Sequence, residues 1–201
     1  MSETSISQRM QPLLERLQSG DEAAGRELVS ITYERFRVLA AKILHGGYAR
    51  LKQWEETDDV VQEAALRLWK SLEAVKPTTV REYLGLGATQ IRRQLLDLTR
   101  RYYGRKGTGD EAAQMPDRSP AHAGELGEPD GAGGTWDPSR LAQWTDFHVL
   151  VDKLPDEERE VVDLLIYQEL TQEEAAEVIG VEKTTVKRRW REARRKIARA
   201  F

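Results

Sequence analysis

At 201 residues, with 32% charged and 39% hydrophobic side chains and a formal net charge of −3, the chain suits one large or two small globular domains with a helical bias. Its lack of cysteine excludes disulfides, a thiolate zinc site and a cysteine nucleophile, and is compatible with a reducing cytoplasm. The N-terminal stretch MSETSISQRMQPLLERL has no apolar signal core, and no apolar run approaches the ~18 residues a bilayer span needs, so no membrane insertion is expected.

The first half of the chain reads as a helical bundle. A short helix is predicted over residues 7–18, stopped by Ser19 and Gly20. Asp21 can then cap a longer helix in which Leu28, Ile31, Phe36, Leu39 and Ile43 share one broad face, ending at His45-Gly46-Gly47. A third helix is expected to start at Thr57-Asp58, with Val61, Ala65, Leu68, Trp69 and Leu72 as its inward stripe. Opposite lie Asp59, Gln62, Glu63, Leu66 and Lys70. An exposed leucine among acids and amides suits protein contact better than nucleic acid, the alternative being an ordinary solvated face. Pro77 interrupts the chain in a loop over residues 73–80, and a fourth helix follows over residues 81–103. Leu84, Ala88, Ile91, Leu95, Leu98 and Tyr102 form its apolar stripe, with Thr89, Arg93 and Arg100 opposite. Arg92, Arg93, Arg100, Arg101, Arg105 and Lys106 against Asp97 give this stretch a net of +5, a candidate nucleic-acid contact. Tyr83, Tyr102 and Tyr103 suit either stacking on unpaired bases or a place in the core.

Between residues 104 and 142 lie eight of the fifteen glycines, together with Pro116, Pro120, Pro129 and Pro138. Almost no periodic apolar residues accompany them, so the stretch reads as a linker. Its charge is acidic, with Asp110, Glu111, Asp117, Glu125, Glu128, Asp130 and Asp137 set against Arg118 alone over residues 107–139. That composition fits a solubilising tether, or an extended acidic segment that occupies a positively charged nucleic-acid channel.

Residues 170–201 carry the sharpest signal. Thr171 with Glu174 is a capping box that starts one helix, Gly180 supplies the reversal that ends it, and a second helix begins near Glu182. At 100° per residue Val186, Trp190, Ala193 and Ile197 share a stripe, and Thr184, Lys187, Arg188, Arg191 and Arg195 fall on the opposite one. This is the outline of a helix-turn-helix. Residues 182–201 carry a net of +7 and residues 152–181 a net of −8, so the near-neutral total hides separated charge. Two other classes fit the chain less well. A dimeric operator-binding regulator needs one DNA-reading domain, whereas this chain offers two basic helices. An enzyme has only His45, His122 and His148 to draw on, none of them in an i, i+4 pair, and no phosphate-binding loop; no catalytic residue, metal or cofactor is predicted.

Three stretches together resemble the sigma factors of bacterial RNA polymerase, of the compact extracytoplasmic-function type. Thr57-Asp58-Asp59-Val60-Val61-Gln62-Glu63 followed by Leu66-Arg67-Leu68-Trp69 is similar to the family's "D-x-V-Q-E-x-x-x-R-L-W" segment. Tyr83-Leu84 with Ala88, Gln90, Asp97 and Arg100-Arg101 is similar to the segment that follows it. Leu154-Pro155 through Arg195, with Leu170-Thr171-Gln172-Glu173-Glu174-Ala175-Ala176, Gly180-Val181 and Thr185-Val186-Lys187, resembles the second domain. The resemblance implies an all-α fold of two small helical domains, residues 1–103 and 143–201, joined by a flexible acidic linker, residues 104–142. It implies core RNA polymerase and promoter DNA as partners, an inhibitory partner such as an anti-sigma factor, and a cytoplasmic location on the nucleoid through the polymerase. By position, Asp58, Asp59, Gln62, Glu63, Leu66 and Trp69 match the surface that binds the coiled-coil clamp of the largest polymerase subunit. The loop over residues 73–80 and the helix after it, with Lys76, Thr89, Gln90, Arg92, Arg93, Arg100 and Arg101, match the part that opens and reads the downstream promoter element. Lys183, Thr184, Thr185, Lys187, Arg188, Arg191 and Arg195 match the helix that enters the major groove of the upstream element. Gln90 stands where the family commonly has Asn, Glu182 replaces the usual small capping residue, and Lys76-Pro77-Thr78-Thr79 maps onto no base-reading loop. The resemblance therefore implies a mechanism without a promoter sequence.

Overall fold

A computed structural model of the chain describes residues 5–46, 57–106 and 141–200, with side chains described outside 41–46, 57, 98–106 and 141–144. The fold is all-α, with no strand among the described residues. Nor is any helix among them long and apolar enough to cross a membrane. The linker expected over residues 104–142 lies almost wholly outside the described residues, as do His122 and the side chains of Ile43, His45, Leu98, Tyr102 and Tyr103.

Local chemistry sets the helix boundaries. Helix α1 (Ile6–Gln18) opens on a capping box in which the Gln8 N–H donates to the Ser5 hydroxyl at 3.3 Å and the Ser5 N–H donates to the Gln8 side chain at 3.2 Å. Gly20, at φ 94°, reverses the chain into α2 (Glu22–Gly46), where the Asp21 carboxylate accepts from the Ala23 N–H at 2.9 Å. Helix α3 (Thr57–Val75) begins with Asp58 and Asp59 at the positive end of its dipole. The loop after it places Lys76 at φ 48° and buries Pro77. Helix α4 (Val80–Lys106) then opens on a reciprocal cap: Glu82 accepts from the Thr78 N–H at 2.7 Å, and the Thr79 hydroxyl accepts from the Glu82 N–H at 3.2 Å. These donors hold the Glu82 carboxyl below its usual range.

In the second half, α5 (Leu141–Asp152) was not anticipated from the sequence, whose apolar residues there show little helical periodicity. Helix α6 (Asp156–Val162) runs on into a π-helical turn over Asp163–Tyr167, closed by the Gln168 N–H on the Asp163 carbonyl at 3.1 Å. Helices α7 (Gln172–Ile179) and α8 (Lys183–Ala200) complete the chain.

Helix α2 packs against α1 and α3, and α3 packs on α4; in the second half α6 and α7 flank α8. The buried apolar residues form one continuous core, to which α1 contributes Ile6, Met10 and Leu14, and α3 contributes Val60, Val61, Ala64, Leu68 and Leu72. Each of these side chains larger than alanine, fully buried, stabilises by about 1.5–3 kcal/mol relative to exposure. Helix α4 is shared between the halves, packing on α3 on one side and on α5 and the π turn on the other. Tyr83 is fully buried and hydrogen-bonded to the Thr32 hydroxyl at 2.8 Å, which places it in the core and not on a base-stacking surface.

Candidate nucleic-acid and protein interfaces

The helix-turn-helix is built by three local devices. Thr171 and Glu174 cap α7 reciprocally, with the Thr171 N–H on the Glu174 carboxylate at 2.8 Å and the Glu174 N–H on the Thr171 hydroxyl at 3.2 Å. Gly180 ends α7 in the left-handed conformation at φ 78°, its N–H and that of Val181 both reaching the Ala176 carbonyl. Val186, Trp190, Ala193 and Ile197 are then buried, which rotates the basic face of α8 outward. Thr184, Arg188, Arg191 and Arg195 are exposed, and Lys183, Thr185 and Lys187 are half-buried. The three exposed arginines form no ion pair among the described residues. Other cations of α8 are already engaged: Arg189 pairs with Glu157 at 2.9 Å, Lys196 with Glu158 at 2.6 Å, and Lys183 with Glu173 of α7. The Lys183 contact holds the Glu173 carboxyl below its usual range. The face opposite the core is thus a cluster of guanidinium groups aimed at solvent, as phosphate binding requires.

A second surface lies on α3. Asp58, Asp59, Gln62 and Glu63 are exposed, Leu66 is 49% exposed, and Trp69 is half-buried. Gln62, Leu66 and Trp69 form one wall of an open, largely apolar groove of about 340 Å³, and Arg26, Val29, Ser30 and Tyr33 of α2 form the other. Gly25 allows this approach, because a Cβ there would sit 3.1 Å from both the Trp69 ring and Leu17. Sequence reasoning missed the α2 wall: an exposed leucine marks one helix, and only packing shows which neighbour lines the other side. Glu63 also pairs with Arg67 at 3.2 Å, and Arg67 with Asp97 at 2.8 Å, tying this face to α4.

The α4 residues expected at the downstream element do not share one surface. Arg93 and Lys76 are exposed and Thr89 is half-buried, its hydroxyl donating to the Gly85 carbonyl at 3.0 Å. Gln90 and Arg92 are buried, at 6% and 4% exposure, so in this conformation neither reaches DNA. The side chains of Arg100 and Arg101 lie outside the described residues. Arg92 points into the second half of the chain, where Nε donates to Asp152 at 2.9 Å and Nη1 to Asp163, and its guanidinium lies 5.3 Å from the centre of the Tyr167 ring. Burial pushes the Asp163 carboxyl up to about 6, with Arg92 opposing. Nearby, His148 Nδ1 and the Tyr167 hydroxyl share a 2.6 Å hydrogen bond.

Burial, reinforced by the Arg92 charge, lowers His148 from 6.5 to about 3, so the imidazole is neutral in the fold. The unfolded chain takes up a proton there as pH falls through 6.5, and the folded chain does not until about 3. Stability carried by neutral His148 is therefore present above pH 6.5 and lost on acidification through that window. Compared with His148→Gln, the wild type should lose about 1.4 kcal/mol per pH unit between 6.5 and about 3, measured by denaturant unfolding at stepped pH. Parallel pH profiles for the two proteins would mean that His148 is protonated, or accessible to solvent, in the fold.

A family model described as "ECF sigma factor" matches residues 7–201. No curated protein matches the chain.

Proposed function

The chain belongs to the ECF sigma factor family, whose members direct transcription initiation, and on that premise we propose that it joins core RNA polymerase through the α2–α3 groove and reads the upstream promoter element with α8. The observation that carries this reading is the coexistence of two unlike surfaces. One is an apolar groove with Asp59, Gln62 and Glu63 beside it; the other is a solvent-facing set of arginines on the second helix of a helix-turn-helix. A groove of the first kind suits a protein partner, since an exposed leucine gains by burial and phosphate does not. Residues 1–103 are assigned to polymerase binding and to opening the downstream element, residues 143–201 to the upstream element, and residues 104–142 to the connection between them. The polymerase performs the chemistry, and this chain supplies binding, register and strand opening. Phosphate contacts supply salt-dependent affinity, while side chains at the start of α8 read base edges, each worth about 1–3 kcal/mol of discrimination.

Abortive transcription with core polymerase on a promoter library tests this reading. Product that depends on the chain is expected, and the templates used recover its promoter preference. The Arg188→Ala, Arg191→Ala double variant should remain folded and bind the recovered promoter more weakly. A lost phosphate contact lowers the salt slope by about one for every sequence, and a lost base contact costs ~1–3 kcal/mol and relaxes one position. Unchanged promoter binding by the double variant would remove α8 from the upstream contact.

A further inference from the structure

Helix α8 carries its cations in two sets. At ~100° per residue, Arg188, Arg191 and Arg195 fall within about 60° of one another on a ridge opposite the core, while Lys183 lies on one flank of the helix and Arg189 and Lys196 on the other. The ridge arginines are exposed and form no ion pair among the described residues. Each of the three flank cations instead meets a carboxylate of a neighbouring helix. Lys183 pairs with Glu173 in the first turn of α7, Lys196 with Glu158 of α6 at 2.6 Å, and Arg189 with Glu157 of α6 at 2.9 Å. Exposure separates these three further. The side chains of Lys183 and Lys196 are 36% and 48% exposed and have room to swing outward, whereas that of Arg189, at 13%, is held against the protein.

Neither lysine pair adds much to the fold. The Lys183 and Glu173 pair lies at the surface, where solvent screens most of the attraction. Glu158 is 7% exposed and its Oε2 atom has no hydrogen-bond partner among the described residues, so desolvation of the carboxylate offsets much of its attraction to Lys196. The larger effect of both pairs falls on DNA. A major groove about 12 Å wide admits one helix about 10–12 Å across, which sets the ridge of α8 over base edges and its flanks beside the two phosphate rims. A lysine already neutralised by a carboxylate of its own chain releases no net counterion on reaching a phosphate, because the carboxylate it leaves then takes one up. We propose that Glu173 and Glu158 are specificity-determining residues: by holding Lys183 and Lys196 they keep the flanks of α8 from the phosphate rims, so that the helix binds through its ridge and holds DNA of arbitrary sequence weakly. Non-specific binding depends almost wholly on phosphate contacts, whereas on the promoter the ridge adds base contacts that fix how the helix sits. Removing either carboxylate therefore strengthens binding to arbitrary sequence more than binding to the promoter. The inference rests on the function proposed above, in that α8 must face DNA.

Binding of the full-length chain to a random-sequence duplex, titrated over a tenfold range of salt, tests this. One added phosphate contact steepens the dependence of log affinity on log salt by about 0.9, so over that range the affinity of Glu173→Gln should fall about eightfold more than that of the parent, and that of Glu158→Gln likewise. The double variant should fall about sixtyfold more, and should prefer the promoter over the random duplex by a smaller factor than the parent does. Glu157→Gln removes the same charge from the chain but leaves Arg189 in place, so its salt dependence should match the parent's. An equal steepening in Glu157→Gln would mean that net charge alone is responsible, and would overturn the inference. Parallel salt dependence in the parent and Glu173→Gln would also overturn it, whatever Glu158→Gln does to its buried site, because position 173 is exposed and a melting curve checks that the fold is intact. A parent whose affinity does not change with salt would overturn the assignment of α8 to DNA as well, which separates that failure from the failure of this inference alone.

Discussion

Trp190→Ala is expected to unfold the second half of the chain, at a cost of about 3–5 kcal/mol, against the 5–15 kcal/mol that typically separates a whole domain from its unfolded state. Trp190 is 2% exposed and lies on the stripe with Val186, Ala193 and Ile197, where α8 meets α6 and α7. Its indole N–H has no hydrogen-bond partner among the described residues, so packing alone holds it. Truncation leaves a cavity in the core that the surrounding structure refills only in part. The loss should appear as a lowered melting midpoint under conditions where no DNA is present. A folded variant with an unshifted midpoint would show that this site collapses around the missing ring, contrary to its placement at the centre of the stripe.

Asp59→Lys combined with Glu63→Lys should abolish association with core polymerase while DNA binding through α8 persists. Both positions are exposed on α3 beside the groove wall formed by Gln62, Leu66 and Trp69, and neither contributes to the core. Like charges brought against a complementary patch cost several kcal/mol, enough to detect in co-purification. The Glu63 change also places a cation beside Arg67, but Arg67 keeps its 2.8 Å pair with Asp97, so the α3–α4 contact should survive, and a melting curve checks that it does. Normal co-purification and initiation by the double variant would remove the clamp role from this face of α3.

The surfaces behind these two predictions were legible in the sequence for a common reason. A helix repeats every 3.6 residues, so the burial of Val186, Trp190 and Ile197 fixes where Arg188 and Arg191 point, and the burial of Val61, Ala65 and Leu68 fixes where Asp59, Gln62 and Leu66 point. Caps are equally local: Thr171 and Glu174 are three residues apart, and Gly180 needs only its own φ. The groove beside Leu66 was half legible, since its α2 wall depends on how two helices pack and on the close approach that Gly25 permits.

What the sequence by itself determined is therefore the four helices of the first half, the two helices of the helix-turn-helix and the outward faces of α3 and α8, together with the family those features share. What only the tertiary structure decided is the fate of α4. Its arginines read alike along the chain, yet Arg93 faces solvent while Arg92 is buried against Asp152 and Asp163, partners 60 and 71 residues away. Composition counts both as positive charge available to DNA; it cannot weigh a buried pairing, because that depends on a π turn and an unanticipated α5 bringing carboxylates to one side of the helix. A charge is free or engaged according to what packs against it, and for α4 that is settled by contacts far apart in the chain.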